Sequence, residues 1–325
     1  MILVTGANGL VGSFVCRALL REKMPFVAMK RTNSDTSLLS DIAEQINWVD
    51  ASLSDLRILD EIIDSVEGII HCAGLVSFNR KEYELLNKVN VEGTANLVNA
   101  AIAAGGKRFV HISSVAALGR NPKVQQMDES AKWVESAHNT EYAKSKYLAE
   151  LEINRGQAEG LSTVTVNPSF IIGTGDWNRS STRVFKYVHE GNRYYTKGMM
   201  NYVDARDVAD AVIGLYKSDI EGERFILSAG SSTYKAFFEK IAEAFGVKPP
   251  DRLATPFLSL LAYWGDSLRS FFTGSKPLIT SETRRMSGLS YTYDGSKISR
   301  SLPFKYRDFD DSIQWVCKEL DPQNN

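Results

Sequence analysis

The first half of the chain alternates short apolar runs with longer amphipathic segments. The apolar runs predict strands at residues 1–5, 26–29, 46–49, 68–73, 108–112 and 162–166. The segments between them predict helices near residues 11–22, 56–65, 83–104 and 139–159. Because strands that are apolar throughout are buried on both faces and alternate here with helices, we predict an α/β fold with a doubly wound parallel sheet.

The pattern becomes less regular beyond residue 170. Helix-like stretches recur at residues 180–190, 205–217 and 234–245, and strand-like pieces at 202–203 and 223–227. Prolines then precede an apolar segment at residues 257–272, which we expect to line or cover a pocket. Charged residues and a glycine interrupt this segment, so it is too short and too broken to span a membrane.

Composition excludes several classes of function. The 38 basic and 39 acidic residues give a formal net charge of −1 without a long block of one sign, which excludes a typical nucleic-acid-binding footprint. The three scattered cysteines have no metal-ligand spacing, so we expect reduced thiols and no metal site. Reduced thiols fit a cytoplasmic location. Because the sequence runs straight into a strand and a glycine turn, we also expect no signal peptide.

A glycine-rich turn follows the first predicted strand directly and leads into the first predicted helix. Such a turn places backbone N–H groups at a helix start against a diphosphate. Gly6 permits the tight turn, Gly9 lets the phosphates approach, and Gly12 lets the helix pack closely on the strand. A structural surface turn is the alternative. The candidate cofactor residues here are Thr5, Gly6, Asn8, Gly9, Leu10, Val11 and Gly12.

The three-and-three glycine spacing resembles that of the extended short-chain dehydrogenase/reductase family, also called the NAD-dependent epimerase/dehydratase family. Further family features occur in the same order along the chain. The resemblance implies an NADP-binding Rossmann domain over residues 1–170, which includes the catalytic helix. It also implies a smaller mixed substrate-binding lobe over residues 171–325, with some segments returning to the Rossmann sheet.

The resemblance also assigns residues around the cofactor. Asp50 follows the third strand, where family members bind the adenine amino group, and Ala51 lies beside it; Asp50 could instead be a turn or capping residue. Asn90 corresponds to an asparagine that supports the active site from a helix. The remaining assigned positions are Ala73 and Gly74 beside the cofactor, and Pro168, Ser169 and Phe170 against the nicotinamide.

The end of the second strand distinguishes NADP(H) from NAD(H). A carboxylate there accepts hydrogen bonds from ribose hydroxyls, whereas a cation suits a 2′-phosphate. The strand ends with Lys30 and Arg31, and no carboxylate follows until Asp35. Arg31 lies where reductases of the family hold the phosphate, so NADP(H) is favoured. NAD(H) stays open, because both cations could be solvated charges beyond a strand.

Tyr142 and Lys146 lie four apart in a predicted helix and therefore share one face. A neighbouring ammonium favours the phenolate, so we expect Lys146 to lower the pKa of Tyr142 towards neutrality. Ser114 matches the family serine that hydrogen-bonds the substrate oxygen, and Ser113 is the neighbouring alternative. The resemblance implies that Tyr142 supplies the proton and that Lys146 also holds the nicotinamide ribose, which makes Ser114, Tyr142, Lys146 and Asn90 the candidate catalytic residues.

Two departures from the family pattern indicate the branch. Val115 and Ala116 replace the Asp-Glu pair that follows this serine in sugar-nucleotide dehydratases, and Phe170 replaces the asparagine of many epimerases. The sequence here resembles dihydroflavonol and cinnamoyl-type reductases. We therefore expect hydride transfer to or from the carbonyl or alcohol carbon of a small hydrophobic substrate, in a homodimer. A nucleotide-sugar epimerase and a non-catalytic dinucleotide sensor are the alternatives.

Overall fold

The computed structural model describes residues 1–121, 124–177, 181–255 and 290–321. In chain order, the strands are β1 (Ile2–Thr5), β2 (Phe26–Lys30), β3 (Trp48–Asp50), β4 (Gly68–His71), β5 (Arg108–Ile112), β6 (Gln126–Met127), β7 (Ser162–Pro168), β8 (Phe170–Ile172), β9 (Tyr194–Tyr195), β10 (Met199–Asp204), β11 (Glu223–Leu227), β12 (Gly230–Thr233), β13 (Arg252–Leu253) and β14 (Thr292–Tyr293). The α-helices are α1 (Leu10–Arg21), α2 (Leu56–Asp64), α3 (Tyr83–Leu86), α4 (Gly93–Ala103), α5 (Glu141–Ala158), α6 (Thr182–His189), α7 (Ala205–Lys217), α8 (Tyr234–Phe245), α9 (Lys297–Ser301) and α10 (Phe309–Leu320).

The central sheet has seven strands in the order β11-β7-β5-β4-β1-β2-β3, and every neighbouring pair is parallel. Helices α1 and α7 pack on one face, and α2, α4 and α5 pack on the other. Strands β1 and β4 are buried along their whole length, as strands covered on both faces must be. The predicted α/β class and doubly wound parallel sheet are confirmed.

Several element bounds differ from the sequence-based expectation. The helix predicted at 83–104 contains a π-helical turn, Asn87–Glu92, between α3 and α4. The helix predicted at 139–159 begins at Glu141, because the Thr140 hydroxyl accepts a hydrogen bond from the Ala143 N–H and ends the preceding loop. The predicted strand-like piece at 223–227 is β11, which pairs with β7 at the edge of the central sheet.

A second group of elements lies beside the carboxyl ends of the central strands. Strands β8, β10 and β12 form a three-stranded sheet, and α6, α8 and α10 pack around an apolar cluster that includes Phe185, Phe237 and Ile313. The chain alternates between this group and the central sheet. After β10, helix α7 packs on the central sheet and β11 joins its edge. The apolar segment predicted at 257–272 lies outside the described residues. Within the described ranges, no helix combines the length and hydropathy of a membrane span.

Polar side chains are buried between the central sheet and helices α4 and α5. His71 is fully buried and hydrogen-bonds with Thr5 Oγ1 at 2.7 Å and with Thr94 Oγ1 at 3.0 Å, so it ties β1, β4 and α4 together. Burial, with a smaller contribution from the Lys146 cation, lowers the pKa of His71 to about 3. The folded protein therefore keeps this imidazole neutral.

Acid destabilises the fold through this histidine. An unfolded histidine has a pKa of roughly 6.5, so below that pH the unfolded chain binds a proton that folded His71 does not bind until about pH 3. The stabilisation is present above the unfolded pKa, and it falls by about 2 kcal/mol between pH 7.5 and pH 5. Urea unfolding at both pH values should show this loss reduced by about 2 kcal/mol in His71→Gln. An equal loss in both proteins would contradict the assignment.

Candidate active site

The glycine turn has the close packing that its sequence predicts. Gly6 has φ +64°, and a Cβ atom there would lie 2.6 Å from the Ala73 Cα. A Cβ atom on Gly12 would lie 2.1 Å from the Gly6 carbonyl oxygen. Side chains at either position would push α1 away from the ends of β1 and β4, so both glycines are required by the backbone.

The start of α1 suits an anionic group. Gly9 is exposed, its backbone is extended, no side chain caps the helix there, and the first turn contains no acidic residue. The N–H groups at a helix start carry a partial positive charge that favours phosphate. These features fit the diphosphate of a dinucleotide, which would lie across Gly6, Gly9 and the first turn of α1.

The neighbouring residues hold the turn in place. The Ala73 N–H donates to Thr5 Oγ1 at 3.3 Å, and the Asn8 amide donates to the Asp35 carbonyl at 3.0 Å. Leu10 lies against Gly173, because a Cβ atom on that glycine would be 3.0 Å from Leu10 Cδ1. The remaining predicted turn residue, Val11, packs on the core beside α1.

The two cations at the end of β2 have different surroundings. Lys30 forms an ion pair with Asp50 and lies 5.9 Å from the centroid of the Trp48 ring. Arg31 is exposed, and its side chain makes no ion pair within the described part of the chain. The interpretation of both cations as freely solvated is therefore wrong for Lys30. Asp50, expected to bind the adenine amino group, here shares its carboxylate with Lys30, while the adjacent Ala51 is buried.

The carboxyl end of β5 brings Ser114 to Tyr142. Ser114 caps a short 3₁₀ turn, where its hydroxyl accepts a hydrogen bond from the Ala116 N–H at 3.2 Å. The Tyr142 hydroxyl interacts with the same Ser114 side chain. The alternative serine, Ser113, is buried, and its hydroxyl has no partner among the described residues. Of the two serines, Ser114 is thus the one that the fold brings to the tyrosine.

Lys146 is buried one helical turn beyond Tyr142. Its ammonium donates to the Ile112 carbonyl at 2.9 Å, which links α5 to the end of β5. A Cβ atom on Gly74 would lie 3.8 Å from Lys146 Nζ and 3.5 Å from Asn90 Oδ1. The structure therefore brings Gly74, Asn90 and Lys146 together.

Asn90 holds the loop that follows β4. Its Oδ1 accepts from the Leu75 N–H at 2.7 Å, and its Nδ2 donates to the Leu75 carbonyl and to Ser145 Oγ, each at 2.9 Å. The π-helical turn places this side chain between the loop and α5. Such turns occur frequently at functional sites. Asn90 is therefore in a supporting position, in contact with the helix that carries Tyr142.

One electrostatic expectation is wrong in this structure. Burial raises the pKa of the Tyr142 hydroxyl, and its interaction with Ser114 offsets part of that increase. The Lys146 ammonium, which donates to the Ile112 carbonyl, is not among the causes of the shift in the pKa of Tyr142. Burial lowers the pKa of Lys146 to about 8, although the Glu150 carboxylate acts in the opposite direction.

The end of β7 provides the other predicted contacts. Pro168 and Ser169 are buried, and the Ser169 N–H donates to the Leu227 carbonyl at 2.9 Å. Phe170 turns towards the lobe, where its ring lies 5.9 Å from that of Phe237. These residues connect the central sheet to the second group of elements. The segments expected to shape the substrate pocket fall partly outside the described residues, at 122–123, 178–180 and 256–277.

Sequence reasoning missed two buried residues of this site. Asn167 donates to the Ser114 carbonyl at 2.9 Å, and the same amide donates to Glu150 Oε1 at 2.5 Å. Glu150 follows Lys146 by four residues, a spacing that places both on one helix face and could have drawn attention to it. For Asn167 the only signal was its position directly after the strand predicted at residues 162–166.

Comparisons with known proteins agree with this geometry. The NAD dependent epimerase/dehydratase family matches residues 2–227. Sterol demethylase protein B of Methylococcus capsulatus is 30% identical over 324 residues, covering 96% of this chain and 97% of that protein. A putative dihydroflavonol 4-reductase of Synechocystis sp. is 29% identical over 305 residues, covering 92% and 88%.

The solved structure of gox2253 shares the fold over almost the entire chain. It superposes with a TM-score of 0.83 at 27% sequence identity, covering 99% of this chain and 98% of that one. The family match spans the glycine turn, the serine at the end of β5 and the tyrosine–lysine pair on α5. The chain therefore belongs to the NAD-dependent epimerase/dehydratase family of extended short-chain dehydrogenases/reductases.

Proposed function

We propose that this protein is an NADP(H)-dependent oxidoreductase that transfers a hydride between the nicotinamide and the carbonyl or alcohol carbon of a small hydrophobic substrate. The observation that carries the proposal is the pairing of the Ser114 and Tyr142 hydroxyls at the carboxyl end of β5, with Lys146 on the next turn. The name of the cyanobacterial relative, a putative dihydroflavonol 4-reductase, supports a reductase. The name of the Methylococcus relative refers to a sterol, which supports an apolar substrate.

The two hydroxyls handle the proton of the reaction. The nicotinamide, when bound, supplies or accepts the hydride. Ser114 donates a hydrogen bond to the substrate oxygen and orients it. Tyr142 donates its proton as that oxygen gains negative charge, and takes the proton back in the oxidative direction. Its raised pKa keeps the hydroxyl protonated and thus ready for reduction.

Lys146 and Asn90 support the proton transfer through contacts with the loop that follows β4. Loss of the Tyr142 proton leaves a negative charge, and the Ser114 side chain, which lowers the pKa of Tyr142, stabilises it through a hydrogen bond. The Lys146 ammonium lies near the Gly74 loop, and we propose that it donates to a ribose hydroxyl of the dinucleotide there. Asn90 fixes that loop against α5 through its bonds to Leu75 and Ser145.

A substrate screen tests the reaction class directly. The purified protein is incubated with NADPH or NADH and a panel of hydrophobic aldehydes and ketones, including a steroid ketone and a dihydroflavonol, while the absorbance of the reduced nicotinamide is followed. We expect oxidation of NADPH with at least one carbonyl compound. UDP- and GDP-sugars form a second arm, in which conversion without net NADPH consumption would identify an epimerase and contradict the proposal.

Replacing Tyr142 by phenylalanine removes the proton donor and little else. We expect Tyr142→Phe to lower kcat by on the order of 10²–10⁴, with NADPH binding retained in a fluorescence titration. Tyr147→Phe is the matched control, because Tyr147 is on the same helix and its ring stacks on Trp133 at 4.5 Å without needing the hydroxyl. Unchanged turnover in Tyr142→Phe would contradict the assignment of Tyr142 as the proton donor.

Arg31 is the residue that we propose selects NADP(H). Its exposed guanidinium is available to a 2′-phosphate, whereas Lys30 is paired with Asp50. Arg31→Ala should lower kcat/KM for NADPH by roughly 10- to 100-fold, the equivalent of one charge-assisted hydrogen bond, and change the NADH value little. The control is Arg57→Ala, which removes an exposed arginine from α2. An equal effect on both cofactors, or a wild-type preference for NADH, would refute the assignment.

We also propose a homodimer formed through the helices that follow β4 and β5. Leu85 on α3 and Leu151 on α5 expose 45% and 42% of their surface, which suits an interface between copies. Light scattering should give twice the chain mass of 36.2 kDa, and the mass should fall to that of a monomer in Leu151→Glu. Leu253→Glu, an exposed leucine elsewhere, should remain dimeric. A monomeric wild-type protein would refute this interface.

The cysteines support a reducing compartment. Cys16, Cys72 and Cys317 are free thiols. Burial raises the pKa of Cys16 and of Cys317 to about 12, so both remain protonated at neutral pH and react poorly. We therefore propose a cytoplasmic location for the enzyme.

A further inference from the structure

A chain of polar groups runs from the catalytic strand end to the edge of the central sheet. The Asn167 amide, fully buried on β7, donates to the Ser114 carbonyl at 2.9 Å and to Glu150 Oε1 at 2.5 Å. Glu150 Oε2 accepts from Arg224 on β11 at 2.8 Å. Both carboxylate oxygens of this buried glutamate are therefore occupied, one by a group from β7 and the other by a group from β11.

The orientation of Asn167 follows from its partners. Both are acceptors, so the amide must present its NH₂ group to them. Its own Oδ1 is buried and has no partner among the described residues, which is unfavourable for stability. The Ser114 carbonyl also accepts from the Ala117 N–H at 3.0 Å. The Ser114 carbonyl is thus held by two donors, Asn167 and Ala117. The unpaired Oδ1 of Asn167 lowers the stability of the fold in return.

Glu150 also acts on Lys146. The two residues lie four apart on α5 and are both buried, with 2% and 4% exposed surface. Around the ammonium, β4 contributes Cys72 and His71 and β5 contributes His111. Burial holds the pKa of both imidazoles far below the usual value and raises that of the thiol, so these three groups are uncharged at neutral pH.

The negative charge that faces Lys146 therefore comes from Glu150. Its carboxylate raises the pKa of Lys146 and opposes the desolvation that lowers this pKa to about 8. Arg224 pairs with the far side of the same carboxylate. Without Glu150, a larger fraction of Lys146 would lose its proton near neutral pH.

Stability alone does not account for the ion pair between Glu150 and Arg224. Burying an ion pair generally gives no more stability than packing apolar side chains of similar size in its place. Here the glutamate of the pair is on α5, and Ile153, three residues further along the same helix, packs in an apolar cluster with Val98 of α4. A charged glutamate at this position therefore calls for a role in the site.

We propose that Glu150 is a positioning residue of the active site, which orients Asn167 so that it holds the Ser114 peptide and whose carboxylate balances the charge of Lys146. Its contribution to catalysis rests on the function proposed above. The charge balance between Glu150 and Lys146 is a property of the protein without substrate or cofactor, so it is tested independently of turnover.

The test follows the protonation of Lys146 directly. The protein is labelled with ¹³C at the lysine Cε, the Lys146 signal is assigned by its absence in Lys146→Arg, and its shift is titrated with pH. The wild-type midpoint is expected near 8. In Glu150→Gln the midpoint should fall by roughly one pH unit or more, because a nearby opposite charge is lost. An unchanged or higher midpoint would overturn the proposal.

Two further variants separate charge balance from a general structural effect. The double variant Glu150→Gln/Arg224→Gln leaves neither charge of this ion pair without its partner. It therefore allows the same measurement if the single variant Glu150→Gln does not fold. Its midpoint should also fall, since Glu150 is on the same helix face as Lys146 and Arg224 is on the distant strand. Glu152→Gln removes a carboxylate from α5 that pairs with Arg155 nearer the surface, and it should leave the midpoint unchanged.

Kinetics supply the catalytic half of the test. With a carbonyl substrate from the screen, the alkaline limb of the kcat profile should move to lower pH in Glu150→Gln, whereas a purely structural defect would lower kcat at every pH without moving the limb. Glu150→Asp keeps the charge and should keep the limb in place. If no substrate is turned over but the midpoint shifts, the proposed function fails and the electrostatic role stands. If Glu150→Gln still turns over substrate and the alkaline limb of its kcat profile does not move, the proposed catalytic role of Glu150 is wrong.

Discussion

A buried ammonium between helix α5 and the central sheet sets the organisation of this protein. Lys146 is removed from water, and an isolated charge in that position would be very unfavourable. The structure compensates with the Ile112 carbonyl as a direct acceptor and with the Glu150 carboxylate one turn away. Burial keeps the neighbouring imidazoles neutral by lowering their pKa values, and the positive charge of Lys146 adds to this effect. The polar layer beneath α5 is thus a consequence of holding one cation at the end of β5.

The signals that sequence reasoning could use were local. The glycine turn was recognisable because it lies within one strand–turn–helix unit. A Cβ atom on Gly12 would clash with the backbone of Gly6, so the requirement for glycine involves residues that are close together in the sequence. Tyr142 and Lys146 were recognisable because four residues on a helix define one face. The parallel sheet followed from apolar strands that alternate with helices. In each case the residues that impose the physical constraint are close together in the sequence, so the constraint leaves a local sequence pattern.

The features that escaped prediction depend on pairing between distant segments. The partner of Asp50 is Lys30, because strands β2 and β3 lie side by side with these two residues in register. The partner of Glu150 is Arg224, which reaches it only because β11 joins the sheet next to β7. The sequence pattern of residues 223–227 indicates neither that this strand pairs with β7 nor the register of that pairing. The acceptor of the Lys146 ammonium, the Ile112 carbonyl, likewise comes from a distant segment, the end of β5.

The same burial acts in opposite directions on the two proton-handling groups. It raises the pKa of the Tyr142 phenol and lowers that of the Lys146 ammonium, because in both cases the charged form loses its hydration. The two groups, which differ in charge but lie on one helix face, are therefore both driven towards neutrality in the free protein. A phenol that stays protonated is a competent donor for carbonyl reduction, and the proposed contact of the lysine with a ribose hydroxyl requires that the lysine keep its proton. Glu150 matters in this context because it keeps that cation available in an environment that otherwise removes its proton.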